Sequence, residues 1–134
     1  MFVDACAIVA VLSGEKESAR VSDALLSAKK RFTSPVAILE TALALSRQDK
    51  FNISVAASET IIMEFLEARA IDIRDLPPAH KAASLAISAA HRYRTGRSGL
   101  NLGDCLHYAC AKYYRVPILA TDDEFRNTDL ETVG

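Results

Sequence analysis

Short apolar runs alternate with longer stretches of helical periodicity along this chain, which restricts it to folds where helices pack on a sheet whose strands are at least partly parallel. Residues 1–5 form one such run, with Asp4 near its end, and Pro117-Ile118-Leu119-Ala120-Thr121 leads into Asp122 and Asp123. Between 15 and 30, Val21, Leu25 and Ala28 recur at spacings of four and three, marking one face of an amphipathic helix. Ser34 before Pro35 is a helix start, because a serine hydroxyl caps the unpaired amides of a first turn and proline suits the first helical position. The helix it begins is predicted over 35–47. Another spans 54–69, with Ile61, Ile62, Phe65 and Leu66 on one side, before a half-buried strand at 70–73 and the breaker Pro77-Pro78. Ala79, Ala83, Ala86, Ala90 and Tyr93 predict a helix with a narrow small-residue face, and Leu106, Ala109, Cys110 and Tyr113 the inward face of a last helix over 103–114. The expectation is one α/β domain over residues 1–134, with a central, mostly parallel sheet flanked by helices.

A formal net charge of -1 excludes a global positive field, so any contacts to nucleic-acid phosphates come from local basic clusters. Three cysteines, an odd number, predict reduced thiols and a cytoplasmic location. The opening Met-Phe-Val-Asp already carries a charge and is not read as a signal peptide. No apolar run approaches the ~20 residues of a membrane-spanning helix, so no membrane partner is expected.

The carboxylates carry the chemistry. Asp4 and the Asp122-Asp123 pair follow apolar runs, and in open α/β sheets ligands bind beyond the carboxyl ends of the strands. Between Val36 and Leu45 only Glu40 and Thr41 are polar, and Glu40 shares its face with Val36, Ala37, Leu43 and Ala44, so it is expected to be buried. A buried carboxylate must be neutral, paired or bound to a metal. Asp104, next to Gly103 at a helix start, is by itself explained as an N-terminal acid stabilised by the helix dipole. Several carboxylates at one crevice repel each other unless a divalent cation neutralises them, and oxygen-only ligands favour magnesium or manganese over zinc. The pattern is that of metal-assisted phosphoryl transfer.

Other motifs are weaker. There is no glycine-rich phosphate loop, and Asp4-Ala5-Cys6 lacks the second aspartate of an aspartyl-phosphate phosphatase. Cys105 and His107 are close in sequence and Cys6 adjoins Asp4, but cysteines on apolar helices are usually core, so zinc or thiol chemistry is set aside. His80 and His91 are read as surface residues.

With these residues in view, the chain resembles the PIN-domain family, and within it the VapC-like toxins of bacterial toxin-antitoxin pairs. MFVDACAIVAVL, TSPVAILETALAL, LNLGDCLHYACAK and PILATDDEFRNTDL are similar to its four acidic signatures, in order. The resemblance assigns the first three acids to Asp4, Glu40 and Asp104, and the fourth to Asp122 or Asp123, with Asp122 preferred. Where the family usually has serine or threonine two residues after the first aspartate, this chain has Cys6, a poorer hydrogen-bond partner.

The resemblance implies a PIN-like fold and hydrolysis of RNA phosphodiesters by water activated on one or two Mg2+ ions, with Mn2+ as a substitute. It implies Asp4 and Asp104 as the principal metal ligands, Asp122 or Asp123 on a second metal or through water, and Glu40 orienting or deprotonating the attacking water. A cognate VapB-like antitoxin and a homodimer are the implied partners. Arg92, Arg94 and Arg97, leading toward Gly103-Asp104, are the expected RNA contacts, with Lys29, Lys30 and Arg31 as a second cluster. The competing readings are a non-catalytic interaction module of the same fold and a metal-dependent nuclease acting on DNA.

Overall fold

The computed structural model describes residues 1–94, 96 and 99–133. Along them run β1 (Phe2–Val3), α1 (Ala5–Leu12), α2 (Ser18–Ser27), β2 (Phe32–Thr33), α3 (Pro35–Leu45), α4 (Val55–Ala68), β3 (Asp72–Ile73), α5 (Ala79–Tyr93), α6 (Leu102–Tyr114), β4 (Ile118–Leu119), a 3-10 turn (Glu124–Asn127) and β5 (Thr132–Val133). The strands pair in the order β3-β2-β1-β4-β5, every pairing parallel, with Phe2 opposite both Phe32 and Ile118 and Val3 opposite Leu119.

Each strand is only two residues long, yet side-chain alternation sorts the core into two halves. Phe2, Phe32 and Ile118 face one side, where they pack with Ala89 of α5 and Cys105, Tyr108 and Cys110 of α6. Val3 and Leu119 face the other side, against Ile8 of α1, Val21 and Leu25 of α2, Leu45 of α3, and Ile62 and Leu66 of α4. The result is the three-layer α/β arrangement expected of alternating elements, with a sheet that is wholly parallel among the described residues.

The structure departs from the sequence pattern in several places. β2 and β5 have no counterpart in the expected elements, because a two-residue strand shows no periodicity. The half-buried strand expected at 70–73 is an edge strand whose two residues are both exposed. On α5 the expected face is inward at its C-terminal half, where Ala86, Ala90 and Tyr93 pack against the core beside buried Ala82 and Ala89, while Ala79 and Ala83 face solvent. Alanines on several sides of this helix offer two overlapping small faces, and packing against α6 selects between them. Tyr113, expected inward, is 41% exposed. Among the described residues no helix is long and apolar enough to cross a membrane.

Candidate active site

β1 lies at the centre of the sheet, with β2 on one side and β4 on the other, so the strand order reverses at β1 and a crevice opens beyond the carboxyl ends of β1 and β4. Asp4 stands there. Its backbone amide donates to Leu119 O at 3.0 Å, and although it occupies the N-cap of α1 its side chain makes no capping bond. The carboxylate is 5% exposed and takes a hydrogen bond on Oδ2 from the Cys6 thiol at 2.7 Å. The Thr121 amide donates in turn to Cys6 Sγ at 3.3 Å, so Cys6 ties the end of β1 to the segment after β4. Burial, then the charge of Asp4, pushes the Cys6 thiol well up, which keeps it a protonated donor. Asp4 Oδ1 is buried with no hydrogen-bond partner.

Glu40 enters the crevice from α3, whose start is set by Ser34: its hydroxyl accepts from the Ala37 amide at 3.2 Å. The Glu40 side chain is 34% exposed, which corrects the expectation that its apolar neighbours bury it. Leu39 and Leu43 are themselves 56% and 52% exposed, so this apolar helix surface is not a covered one. The inner edge of the carboxylate hydrogen-bonds His107 Nε2. A Cβ on Gly103 would meet the Glu40 carboxylate, the movable end of that side chain.

Asp104 fulfils the helix-start reading and more. It completes a capping box, its amide donating to Asn101 Oδ1 at 2.8 Å and its Oδ2 accepting the Asn101 amide at 3.1 Å. Burial pushes its carboxyl up to about 6, the Asn101 amide opposes this, and the charges of Asp4 and Glu40 add to the rise.

The adjacent aspartates part company. Asp122 lines a cleft of about 370 Å3 together with Cys6, Glu15, Glu40, Arg47, Lys50 and Thr121, and its carboxyl is raised first by burial and then by the charge of Asp4. The Asp123 side chain is 81% exposed and pairs with Arg126 at 3.0 Å. Glu124, absent from the expected site, is raised by burial and by the charges of Asp122, Asp104 and Asp4.

His107, named in the sequence with Cys105 and set aside, belongs to the site as well. It is fully buried, and Nε2 lies 3.3 Å from Asp4 Oδ1, though not aligned for a hydrogen bond. Burial opposes its positive charge, but the Glu40 hydrogen bond and the surrounding carboxylates prevail and hold the imidazole above its ordinary pKa. Its signal in the sequence is its place three residues after Asp104, one turn along the same helix. The other two cysteines, Cys105 and Cys110, are buried core residues.

The expected basic contacts are dispersed. Arg92 is held over Tyr93, 3.8 Å from Asp129, and Arg94 is exposed beyond the end of α5. Arg97 lies outside the described residues. Lys29 and Lys30 sit with Met1 and Pro117 at the amino ends of the strands, away from the acids, and Arg31 is committed to the carbonyls of Leu25, Ala28 and Arg69. The basic side chains in the acidic cleft are Arg47 and Lys50, paired with Asp49 at 2.7 Å and Glu15 at 3.2 Å.

A divalent cation fits these residues. Asp4 Oδ1 is a buried anionic oxygen without a hydrogen-bond partner, Gly103 leaves room for the Glu40 carboxylate, and Asp4, Glu40 and His107 offer donor atoms all within 4.8 Å of one another. Residues 1–131 match the family model described as PIN domain. This chain belongs to the PIN-domain family. Its curated relatives include the ribonuclease VapC30 of Mycobacterium tuberculosis, 34% identical over 137 residues that cover 100% of this chain and 98% of the relative. The ribonuclease VapC28 of the same organism is 35% identical, covering 98% and 96%. The PIN-domain fold recurs in a toxin-antitoxin complex from Klebsiella pneumoniae, with TM-score 0.71, 16% identity and coverage of 99% and 95%. It recurs also in M. tuberculosis VapC20, described as a sarcin-ricin loop cleaving toxin, with TM-score 0.72, 17% identity and coverage of 96% and 95%.

Proposed function

We propose that this PIN domain is a divalent-cation-dependent endoribonuclease acting as the toxin of a toxin-antitoxin pair. The observation that carries the proposal is the gathering of Asp4, Glu40, Asp104 and Asp122 at the crevice of the sheet, with Asp4 Oδ1 buried and lacking a hydrogen-bond partner. The curated relatives named as VapC ribonucleases support RNA as the substrate.

Asp4, Asp104 and Asp122 would hold the cation, for which their oxygens favour Mg2+ or Mn2+. When bound, it neutralises charge on the phosphate and lowers the pKa of water. Cys6 keeps the Asp4 carboxylate turned into the crevice through its hydrogen bond to Oδ2. Glu40, partly open to the cleft, accepts the proton of the attacking water. Arg47 and Lys50 receive phosphates on the RNA strand that flank the scissile one. Partners complete the proposal: an antitoxin of the VapB type, supported by the toxin-antitoxin complex among similar structures, and a second copy of the chain. Exposed Leu39, Leu43, Val55 and Met63 on α3 and α4 provide apolar surface of the kind partner helices cover.

The test compares RNA with single-stranded DNA, in the presence of Mg2+ or Mn2+, for the wild type and Asp104→Asn. RNA cleavage that falls by roughly a hundredfold or more in the variant is the expected outcome. Cleavage surviving the substitution removes Asp104 from the site. Equal cleavage of DNA overturns the ribonuclease assignment, and inactivity of the wild type on both polymers favours an interaction module.

A further inference from the structure

His107 lies one helical turn beyond Asp104 on α6, fully buried, with Nε2 turned to the carboxylates of Asp4 and Glu40. We infer that His107, as neutral imidazole with Nε2 released from Glu40, is a nitrogen donor to the cation held at Asp4, so that the site takes a first-row transition ion such as Mn2+ in preference to Mg2+. This rests on the cation site proposed above and concerns which ion it selects.

Three features of the geometry carry the inference. Asp4 Oδ1, Glu40 Oε1 and His107 Nε2 come from three different elements yet lie within 4.8 Å of one another. Ligand atoms about 2.0–2.2 Å from a common ion lie up to about 4.4 Å apart, and Asp4 Oδ1 and His107 Nε2, 3.3 Å apart, fall within that span. The second feature is the incomplete pairing of the cluster: Asp4 Oδ1 has no hydrogen-bond partner although His107 Nε2 is 3.3 Å away. A histidine serving only to brace Glu40 leaves that buried oxygen unsatisfied, whereas an ion held by Asp4 and His107 would satisfy it. The third is the fixed ring. His107 stacks at 32° to Phe2, with ring centroids 5.5 Å apart, so packing orients Nε2 where many metal-binding histidines rely on a hydrogen bond to the other nitrogen. Here Nδ1 has no hydrogen-bond partner.

The choice of ion follows from donor chemistry. Mg2+ holds hard oxygen ligands and retains its waters, while imidazole nitrogen suits transition ions. The Asp4 carboxylate and one imidazole, with further acids on Asp104 and Asp122, would form a mixed oxygen-nitrogen set.

Chelator-treated full-length protein is titrated calorimetrically with Mn2+ and with Mg2+, for the wild type, His107→Gln and Asp4→Asn. In parallel, the Mn2+-loaded wild type is studied by electron spin-echo spectroscopy with natural and 15N-histidine. The wild type is expected to bind Mn2+ at least roughly tenfold more tightly than Mg2+, and His107→Gln to remove most of that preference while leaving Mg2+ affinity within about twofold. The spin-echo signal should show nitrogen modulation that changes with 15N-histidine and is missing in His107→Gln. Circular dichroism of the metal-free variants checks that they fold. Mn2+ binding without histidine nitrogen modulation overturns the inference and leaves the cation site standing, with His107 a brace for Glu40. An equal loss of both ions in folded His107→Gln has the same meaning. Failure of the wild type to bind either ion overturns the cation site itself, as does binding that is unchanged in Asp4→Asn.

Discussion

Asp122 and Asp123 are the same residue type in adjacent positions, and only their surroundings distinguish them. Asp122 lines the cleft that holds Glu40 and feels the charge of Asp4, whereas Asp123 points outward to Arg126 from a side chain 81% exposed. An exposed ion pair of that sort contributes about 0–1 kcal/mol to stability. Asp122→Asn is therefore expected to reduce the RNA cleavage rate at saturating cation by roughly tenfold or more, and Asp123→Asn to stay within about twofold of the wild type. The reverse ranking would move the fourth acid to Asp123. The preference for Asp122 was available before the structure only through the resemblance, since two neighbouring acids after an apolar run look alike in sequence. Asp4 and Asp104 were legible for a different reason: one follows a strand and the other starts a helix, and both positions have rules. Glu40 was legible as an anomaly, although its burial was overestimated because exposed Leu39 and Leu43 imitate a buried face. His107 was named but set aside, because only folding brings Asp4 and Glu40 to its ring.

Among the elements, helices with caps and wide apolar stripes were readable to within a few residues, α3 by its serine cap and α4 by its isoleucine and leucine stripe. β2 and β5 were not, since two residues cannot show a period and their pairing depends on partners far away in the chain. The α5-α6 pair shows how tertiary contacts finish what pattern begins. Tyr108 of α6 donates to Asp129 Oδ1 at 2.7 Å, Lys112 to Oδ2 at 2.8 Å, and Arg92 of α5 stands 3.8 Å from Oδ2. Asp129, after the 3-10 turn, thereby ties the chain approaching β5 to both helices. Burial pushes its carboxyl up, but the Lys112 and Tyr108 hydrogen bonds outweigh burial and hold it below the ordinary carboxylate range. A carboxyl depressed in the folded state contributes stability that is present above its unfolded pKa and lost as pH falls through its folded one. Asp129→Asn should cost about 1 kcal/mol in urea unfolding at neutral pH, the amount limited by solvent screening because the side chain is 37% exposed. The difference from the wild type should shrink as the titration moves into acid below the ordinary carboxylate range. A gap that stays constant would mean that Asp129 acts through packing and not through its charge.

At the scale of the whole molecule, a net charge of -1 and a crevice rich in carboxylates give RNA no long-range attraction, so the proposed ribonuclease activity would depend on the cation and on few basic side chains. Position decides which. Arg92 is engaged with Asp129 and Tyr93, and Lys29 and Lys30 lie at the opposite end of the sheet from the acids. Arg47 and Lys50 line the cleft itself, and their partners Asp49 and Glu15 hold them through partly exposed pairs that a phosphate can displace at little cost. Each phosphate of a single strand neutralised by a basic side chain adds about 0.7 to the steepness of log affinity against log salt. With two such contacts, cleavage-deficient Asp104→Asn binding a short single-stranded RNA at fixed cation concentration should show a slope of about -1.4 in fluorescence anisotropy. Replacing both Arg47 and Lys50 by alanine should bring that slope close to zero, while Arg92→Ala leaves it unchanged. A slope that responds to Arg92 and not to Arg47 or Lys50 would route the RNA across α5, on the other layer of the fold, and the strand would then approach Asp104 from the start of α6.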